Sequence, residues 1–231
     1  MTMGERIGEI RERIEKACLR SGRDAAAVRL MGVSKFHGAL EIEEALRGGI
    51  TLFGENRVQE ALGKFPPLKE AHKDIELHMI GRLQRNKAKS VPRIFDGIQS
   101  LDRDELITAL GGVTGEREEP LMTLLELHTG EESKSGYPGE DSLFRGAELV
   151  LSFKGLRLSG LMTMAPYTQD RGLIRRSFRA LVKARDALLK RFPQADLSCL
   201  SMGMSNDFEI ALEEGSTLVR IGTAIFGERS P

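Results

Sequence analysis

No stretch of the sequence approaches the ~20 consecutive apolar residues that a membrane span requires. The opening residues, MTMGERIGEIRERIEKACL, carry charge throughout, where a signal peptide needs an apolar centre. No membrane contact is expected, and the residues read as those of a cytoplasmic protein. Neither sign of charge dominates: Lys and Arg number 34, as do Asp and Glu, which argues against wholesale binding of nucleic acid or anionic lipid. Cysteine is scarce. Cys18 and Cys199 lie far apart with neither metal-ligand nor redox spacing, so free thiols are expected rather than a disulfide framework. His78 and His128 have no His, Cys or carboxylate at ligand spacing, so no metal site is expected. A Pro, Gly or Ser linker is missing too, as is any low-complexity tract or repeat. Residues 1–231 are expected to form one domain.

What the chain does have is a regular alternation. Ile7, Ile10, Ile14 and Leu19 recur at helical spacing over 3–20, and Ser21 with Gly22 closes that helix. Short apolar runs follow at 28–33, 51–53, 77–80, 97–101, 121–127, 156–161, 197–200 and 217–221. Helical patterns separate most of them, at 39–47, 57–63, 103–110, 142–152, 172–191 and 207–214. Such alternation is the mark of a parallel sheet wrapped by helices. About eight βα units in roughly 200 to 250 residues make a closed barrel. The competing open, doubly wound sheet often carries a Gly-rich first turn, and Gly32-Val33-Ser34-Lys35 is not one. The expected fold is α/β, a single (β/α)8 TIM barrel, with the helix at 3–20 as an extra element plugging or flanking its N-terminal end.

In such a barrel the strand C-termini converge on one mouth, where sites are built. Polar residues crowd that rim: Ser34 and Lys35 after the first strand, Asn56 after the second, His78 in the third, Ser100 and Asp102 at the fourth, Thr129 and Lys134 at the fifth. Ser201-Met202-Gly203-Met204-Ser205 follows the seventh strand, and Arg220 with Gly222-Thr223 closes the eighth. Hydroxyls, glycines and a helix start just after strands seven and eight form a phosphate site in many barrels. Lys35 has two readings: a lysine snorkelling to solvent, or an amine held out of water beside Val33 and Phe36, able to condense with an aldehyde. An aldehyde on a phosphorylated ring is pyridoxal 5′-phosphate (PLP). His78 is either a ligand-contacting group or a satisfied core histidine. The basic cluster at 82–89 has no interleaved aromatics and fits a solvated helix face near an anion site better than a nucleic-acid patch. The polar loop 129–141, with Gly130, Gly136 and Gly139, is either a closing flap or a surface loop.

GVSK at 32–35, FGENRVQE at 53–60, HMIGRLQRNK at 78–87, GLMTMAP at 160–166, SMGMSNDFEIAL at 201–212 and GSTLVRIGTAIFG at 215–227 occur in one order. In these six motifs, over nearly its full length, the chain resembles the YggS/PROSC family of pyridoxal phosphate homeostasis proteins, whose members look like the barrel domain of bacterial alanine racemase standing alone. The resemblance implies a PLP-binding TIM-barrel domain that holds the cofactor as an internal aldimine on Lys35. It implies phosphate-binding segments at Ser201, Gly203, Arg220, Gly222 and Thr223, ring neighbours at Asn56 and His78, and pocket walls at Met202 and Met204. Arg220 is a candidate to face the pyridine nitrogen. Phe36, Gly38 and His128 depart from the family pattern. The implied function is buffering or carriage of PLP in intracellular vitamin B6 homeostasis, without catalysis, in a monomer, with PLP-requiring apo-enzymes as recipients. The alternative is a PLP-dependent amino-acid racemase. Racemisation needs an acid or base on both faces, in the racemases a tyrosine from a second, β-rich domain. The sequence stops at Pro231, and its two tyrosines, Tyr137 and Tyr167, match no such position.

Overall fold

The computed structural model describes residues 1–130 and 135–228. Eight parallel strands, β1 (Arg29–Val33), β2 (Leu52–Glu55), β3 (Glu76–Met79), β4 (Gly97–Leu101), β5 (Leu121–Glu126), β6 (Leu156–Met162), β7 (Cys199–Ser201) and β8 (Leu218–Ile221), form a closed barrel in sequence order. Closure comes from β8 pairing with β1, Arg220 lying opposite Met31 and Ile221 opposite Gly32. The helices are α1 (Met3–Arg20), α2 (Ala39–Arg47), α3 (Val58–Ala71), α4 (Asp104–Thr114), α5 (Glu140–Leu151), α6 (Arg171–Arg191), α7 (Phe208–Glu213) and α8 (Thr223–Phe226). The expected barrel with its extra leading helix is therefore present. Among the described residues no helix is long and apolar enough to cross a membrane, and no group of three or more His, Cys, Asp or Glu could hold a metal ion.

α1 starts at a Thr2–Glu5 capping box and buries Ile7, Ile10, Ile14 and Cys18. Leu19, expected on the same stripe, is exposed. Rather than plugging the barrel, α1 flanks the seam between β8 and β1, packed on α2, α7 and α8. Arg6 Nε donates to the Ile225 carbonyl at 2.7 Å, and Arg23 Nη1 and Nη2 donate to the Leu212 and Ser216 carbonyls at 2.6 and 2.9 Å.

Three helical spans differ from the sequence reading. α3 runs on through Pro66 and Pro67, because Phe65 and Leu68 continue the buried stripe begun by Val58 and Ala61. That packing outweighs the hydrogen bonds which each proline removes. α4 continues through Gly111, where a Cβ would lie 2.4 Å from the Phe153 ring, so glycine lets the helix approach the connection between α5 and β6 closely. Between β3 and β4 the basic cluster forms 3₁₀ turns over Arg85–Arg93 instead of an α-helix.

The β5–β6 pairing shifts register where Thr123 opposes Leu158 but Leu124 opposes Gly160, leaving Ser159 as the extra residue of a bulge. Gly160 has φ of 148°, and a Cβ there would lie 1.8 Å from the Cys199 carbonyl oxygen. Gly160→Ala is therefore expected to destabilise the barrel by roughly 3 kcal/mol or more, read as a drop in the urea midpoint. An unchanged midpoint would show that the bulge relaxes freely.

Candidate functional site

Parallel closure brings all eight strand C-termini to one mouth. There a cavity of about 710 Å³ opens, lined by Lys35, Asn56, Glu126, Arg220, Gly222 and Thr223 together with Met164, Ala165, Met204 and Ser205. Lys35 is half-buried on the turn that follows β1. Phe36 after it is left-handed, with φ of 69°, and solvent-exposed. Gly38 caps α2, donating its N–H to Glu41 Oε2 at 3.1 Å. Phe36 and Gly38, two of the three departures from the family pattern, are thus solvent-exposed.

Arg220 forms the cavity floor. Its guanidinium is buried inside the barrel, where Nη1 donates to Ser201 Oγ at 2.7 Å and to the Ser201 carbonyl at 2.8 Å, and Nη2 donates to the Thr163 carbonyl at 2.9 Å. Burial pushes its pKa down, opposed by the charges of Asp207 and Glu126. Ser201 Oγ in turn donates to Gln99 Oε1 at 2.6 Å, and Gln99 Nε2 meets His78 Nδ1 at 2.9 Å. His78 Nε2 meets Glu76 Oε1 at 2.7 Å, and Arg29 also bonds Glu76. With Ser201 accepting from Arg220, the donors assign in one consistent direction: Gln99 gives to Nδ1, and His78 gives its Nε2 proton to the carboxylate.

Three of the expected site residues do not line the cavity. His78 is a satisfied core histidine, fully buried and outside the cavity lining. Ser201 lies beneath the floor, holding Arg220 rather than facing the cavity. Met202 is packed in the hydrophobic core. Gly203, expected in a phosphate-binding segment, does not line the cavity either. Its φ of 98° turns the chain tightly under α7, where a Cβ would meet Ala211 Cβ at 2.7 Å and Phe208 Cα at 2.9 Å. Lys35, Asn56, Arg220, Gly222, Thr223 and Met204 do share the cavity. Lys134 lies outside the described residues.

Two lining groups escaped the sequence reading. Glu126, a charge at the end of the apolar run 121–127, is buried, and burial raises its pKa, with Asp102 acting in the same sense and the Ser135 hydroxyl, 2.9 Å from Oε1, opposing. Tyr167, from the loop after β6, is 85% exposed and stands at the mouth. Beyond residue 134 the loop after β5 is anchored. Tyr137 N donates to the Glu126 carbonyl at 2.7 Å, its carbonyl accepts from His128 N at 3.0 Å, and its hydroxyl donates to Asp104 Oδ1 at 2.7 Å.

The foot of the string has a pH signature. Burial opposes ionisation of Glu76, but hydrogen bonds from His78 and Arg29 outweigh it and hold the carboxyl down at about 2. A carboxyl depressed in the folded state adds stability above its unfolded pKa, and that stability is lost as pH falls through the folded value. Stability is therefore expected to decline from about pH 4.5 to about 2, and Glu76→Gln should flatten that part of the profile in acid-dependent urea melts. An unaltered slope in the variant would remove Glu76 as its source.

The family model for the alanine racemase N-terminal domain matches residues 7–230. Residues 1–231 are also 41% identical over 229 positions to the Pyridoxal phosphate homeostasis protein of Aquifex aeolicus, covering 99% of each chain. This chain belongs to the family of pyridoxal phosphate homeostasis proteins. Among solved structures it is similar to PipY of Synechococcus elongatus with PLP bound, at 33% identity and a TM-score of 0.82, over 94% of this chain and all of that one. The alanine racemase of E. faecalis shares the fold at 19% identity and a TM-score of 0.69, the match covering 99% of this chain and 59% of the racemase.

Proposed function

We propose that this chain binds PLP through Lys35 and holds it for hand-over to other proteins, acting in PLP homeostasis rather than catalysis. The observation that carries this reading is the convergence of Lys35, the Ser205 and Gly222-Thr223 walls and the Arg220 floor on one cavity, in a chain similar to a protein solved with PLP bound. The donor set suits the cofactor: an amine for its aldehyde, hydroxyls and main chain for its phosphate, and a guanidinium for the ring. PLP supplies an aldehyde conjugated to an electron-poor ring. Lys35 Nζ is the amine that would bond to that aldehyde carbon, the oxygen departing as water with both amine protons. Ile80, Met164 and Ala165 line the cavity and keep solvent from that bond. Residues 1–231 act as one PLP-binding domain.

The racemase alternative needs a second acid or base across the cofactor from Lys35. Of the two tyrosines, Tyr137 does not line the cavity, its hydroxyl being committed to Asp104, and Tyr167 stands exposed at the mouth. Incubating the PLP-loaded protein with L-amino acids in deuterium oxide should show no multiple-turnover exchange of the α-proton, and robust turnover would replace the carrier reading. The reading itself is tested by adding PLP, reducing with borohydride and mapping peptides. A pyridoxyl group on Lys35 is expected; a protein that takes up no PLP, or carries it elsewhere, overturns the assignment.

A further inference from the structure

Lys64 lies on α3, outside the cavity lining. Its side chain, 10% exposed, carries the ammonium to the turn that holds Lys35. Nζ donates to the Ser34 carbonyl at 2.8 Å and the His37 carbonyl at 2.9 Å, the two ends of that turn. It also lies 2.8 Å from Glu55 Oε1 and 2.9 Å from Glu60 Oε1. An ammonium has three protons, so four acceptors at this range leave it no freedom to swing away. Glu60 adds a second tie, since its Oε1 accepts from Phe36 N. Ser34 Oγ completes the cluster by donating to Glu55 Oε1. The turn needs such holding, because Phe36 has φ of 69°, a backbone conformation that L-residues other than glycine rarely adopt. These backbone ties of Lys64 and Glu60 fall on Ser34, Phe36 and His37, all within two residues of Lys35.

We propose that Lys64 is a positioning residue: with Glu60 it clamps the Ser34–His37 turn in the conformation that presents the Lys35 amine to the cofactor aldehyde. The proposal rests on Lys35 as the PLP-linking lysine. Without the clamp the cavity and its phosphate wall persist, but the amine is presented in the wrong place. A misplacement on the scale of an ångström slows a bond-forming step by as much as ~100-fold.

The test separates binding from bond formation. Lys64→Met removes the charge and keeps most of the volume. Two quantities are measured on the full chain: the affinity for 4′-deoxypyridoxine 5′-phosphate, which has the phosphate and ring but no aldehyde, and the rate at which the borohydride-reducible link to Lys35 forms at saturating PLP. In the variant the link is expected to form at least roughly tenfold more slowly, while the analogue binds within about threefold of the unaltered chain. A link formed at the unaltered rate overturns the proposal. So does a loss of analogue binding in proportion to the rate, which would mean that Lys64 only supports the fold. If Lys64→Met does not fold, Glu60→Ala decides the matter, since it removes the acceptor of Phe36 N and leaves Lys64 with Glu55. A slower link with intact analogue binding supports the clamp, and an unaltered rate overturns it. Absence of any link in the unaltered chain removes the Lys35 assignment together with this proposal; its presence there, at an unchanged rate in the variants, removes this proposal alone.

Discussion

Arg220→Ala is expected to have the largest effect of any single substitution in the site, lowering both stability and PLP retention. Three hydrogen bonds disappear with the guanidinium, to Ser201 Oγ, the Ser201 carbonyl and the Thr163 carbonyl. The acceptors left behind are sealed in the barrel, and each buried polar group that loses its partner costs about 1–3 kcal/mol. A stability loss of roughly 3–5 kcal/mol is expected from urea melts, the range for breaking a buried charged network. Retention of PLP should fall by about tenfold or more, because the floor of the cavity opens and a buried cation is lost. The two losses are separable by dialysing the variant against buffer under conditions where circular dichroism shows it folded. PLP retained there as well as by the unaltered chain would show that Arg220 supports the barrel and not the cofactor.

Lys35→Ala should act in the opposite pattern. Lys35 is half-buried on a turn whose conformation depends on its neighbours, so the thermal midpoint should move little. The borohydride-fixed pyridoxyl group and the absorbance of the Schiff base should vanish, and affinity for PLP should fall by roughly a hundredfold, about 2.7 kcal/mol, leaving only the non-covalent contacts of the phosphate wall. A variant that still yields a borohydride-fixed pyridoxyl group would mean that another amine holds the cofactor.

The fold was readable because period and order survive in the sequence: eight apolar runs alternate with helical stripes, and the eight strands fall on them. What was misread depends on contacts across the fold. Pro66 and Gly111 look like helix ends, yet Phe65 packing on one side and the Phe153 ring on the other carry α3 and α4 past them. In the site, Lys35, Asn56, Arg220, Gly222 and Thr223 were legible because strand ends in a barrel must converge. His78, Ser201 and Met202 were placed at the same rim, but whether a strand residue points at the mouth, into the barrel or toward the helices depends on tilt and register, which a single sequence does not display. Gln99 was missed for the same reason. It sits in an apolar run, and only closure of the barrel shows that it bridges Ser201 on β7 to His78 on β3.

The seam flanked by α1 has a consequence for how the molecule comes into being on the ribosome. The apolar stripe Ile7, Ile10 and Ile14 is among the first segments to be synthesised, while α7 and α8, which cover it, are among the last. β1 likewise waits for β8. The growing chain therefore exposes an apolar helix face and an unpaired sheet edge until α7, β8 and α8 are made, the condition in which chaperones protect a chain from aggregation. Lys35 and Arg220, separated by most of the chain, meet only at that final closure, so a nascent chain has no complete pocket in which to trap PLP.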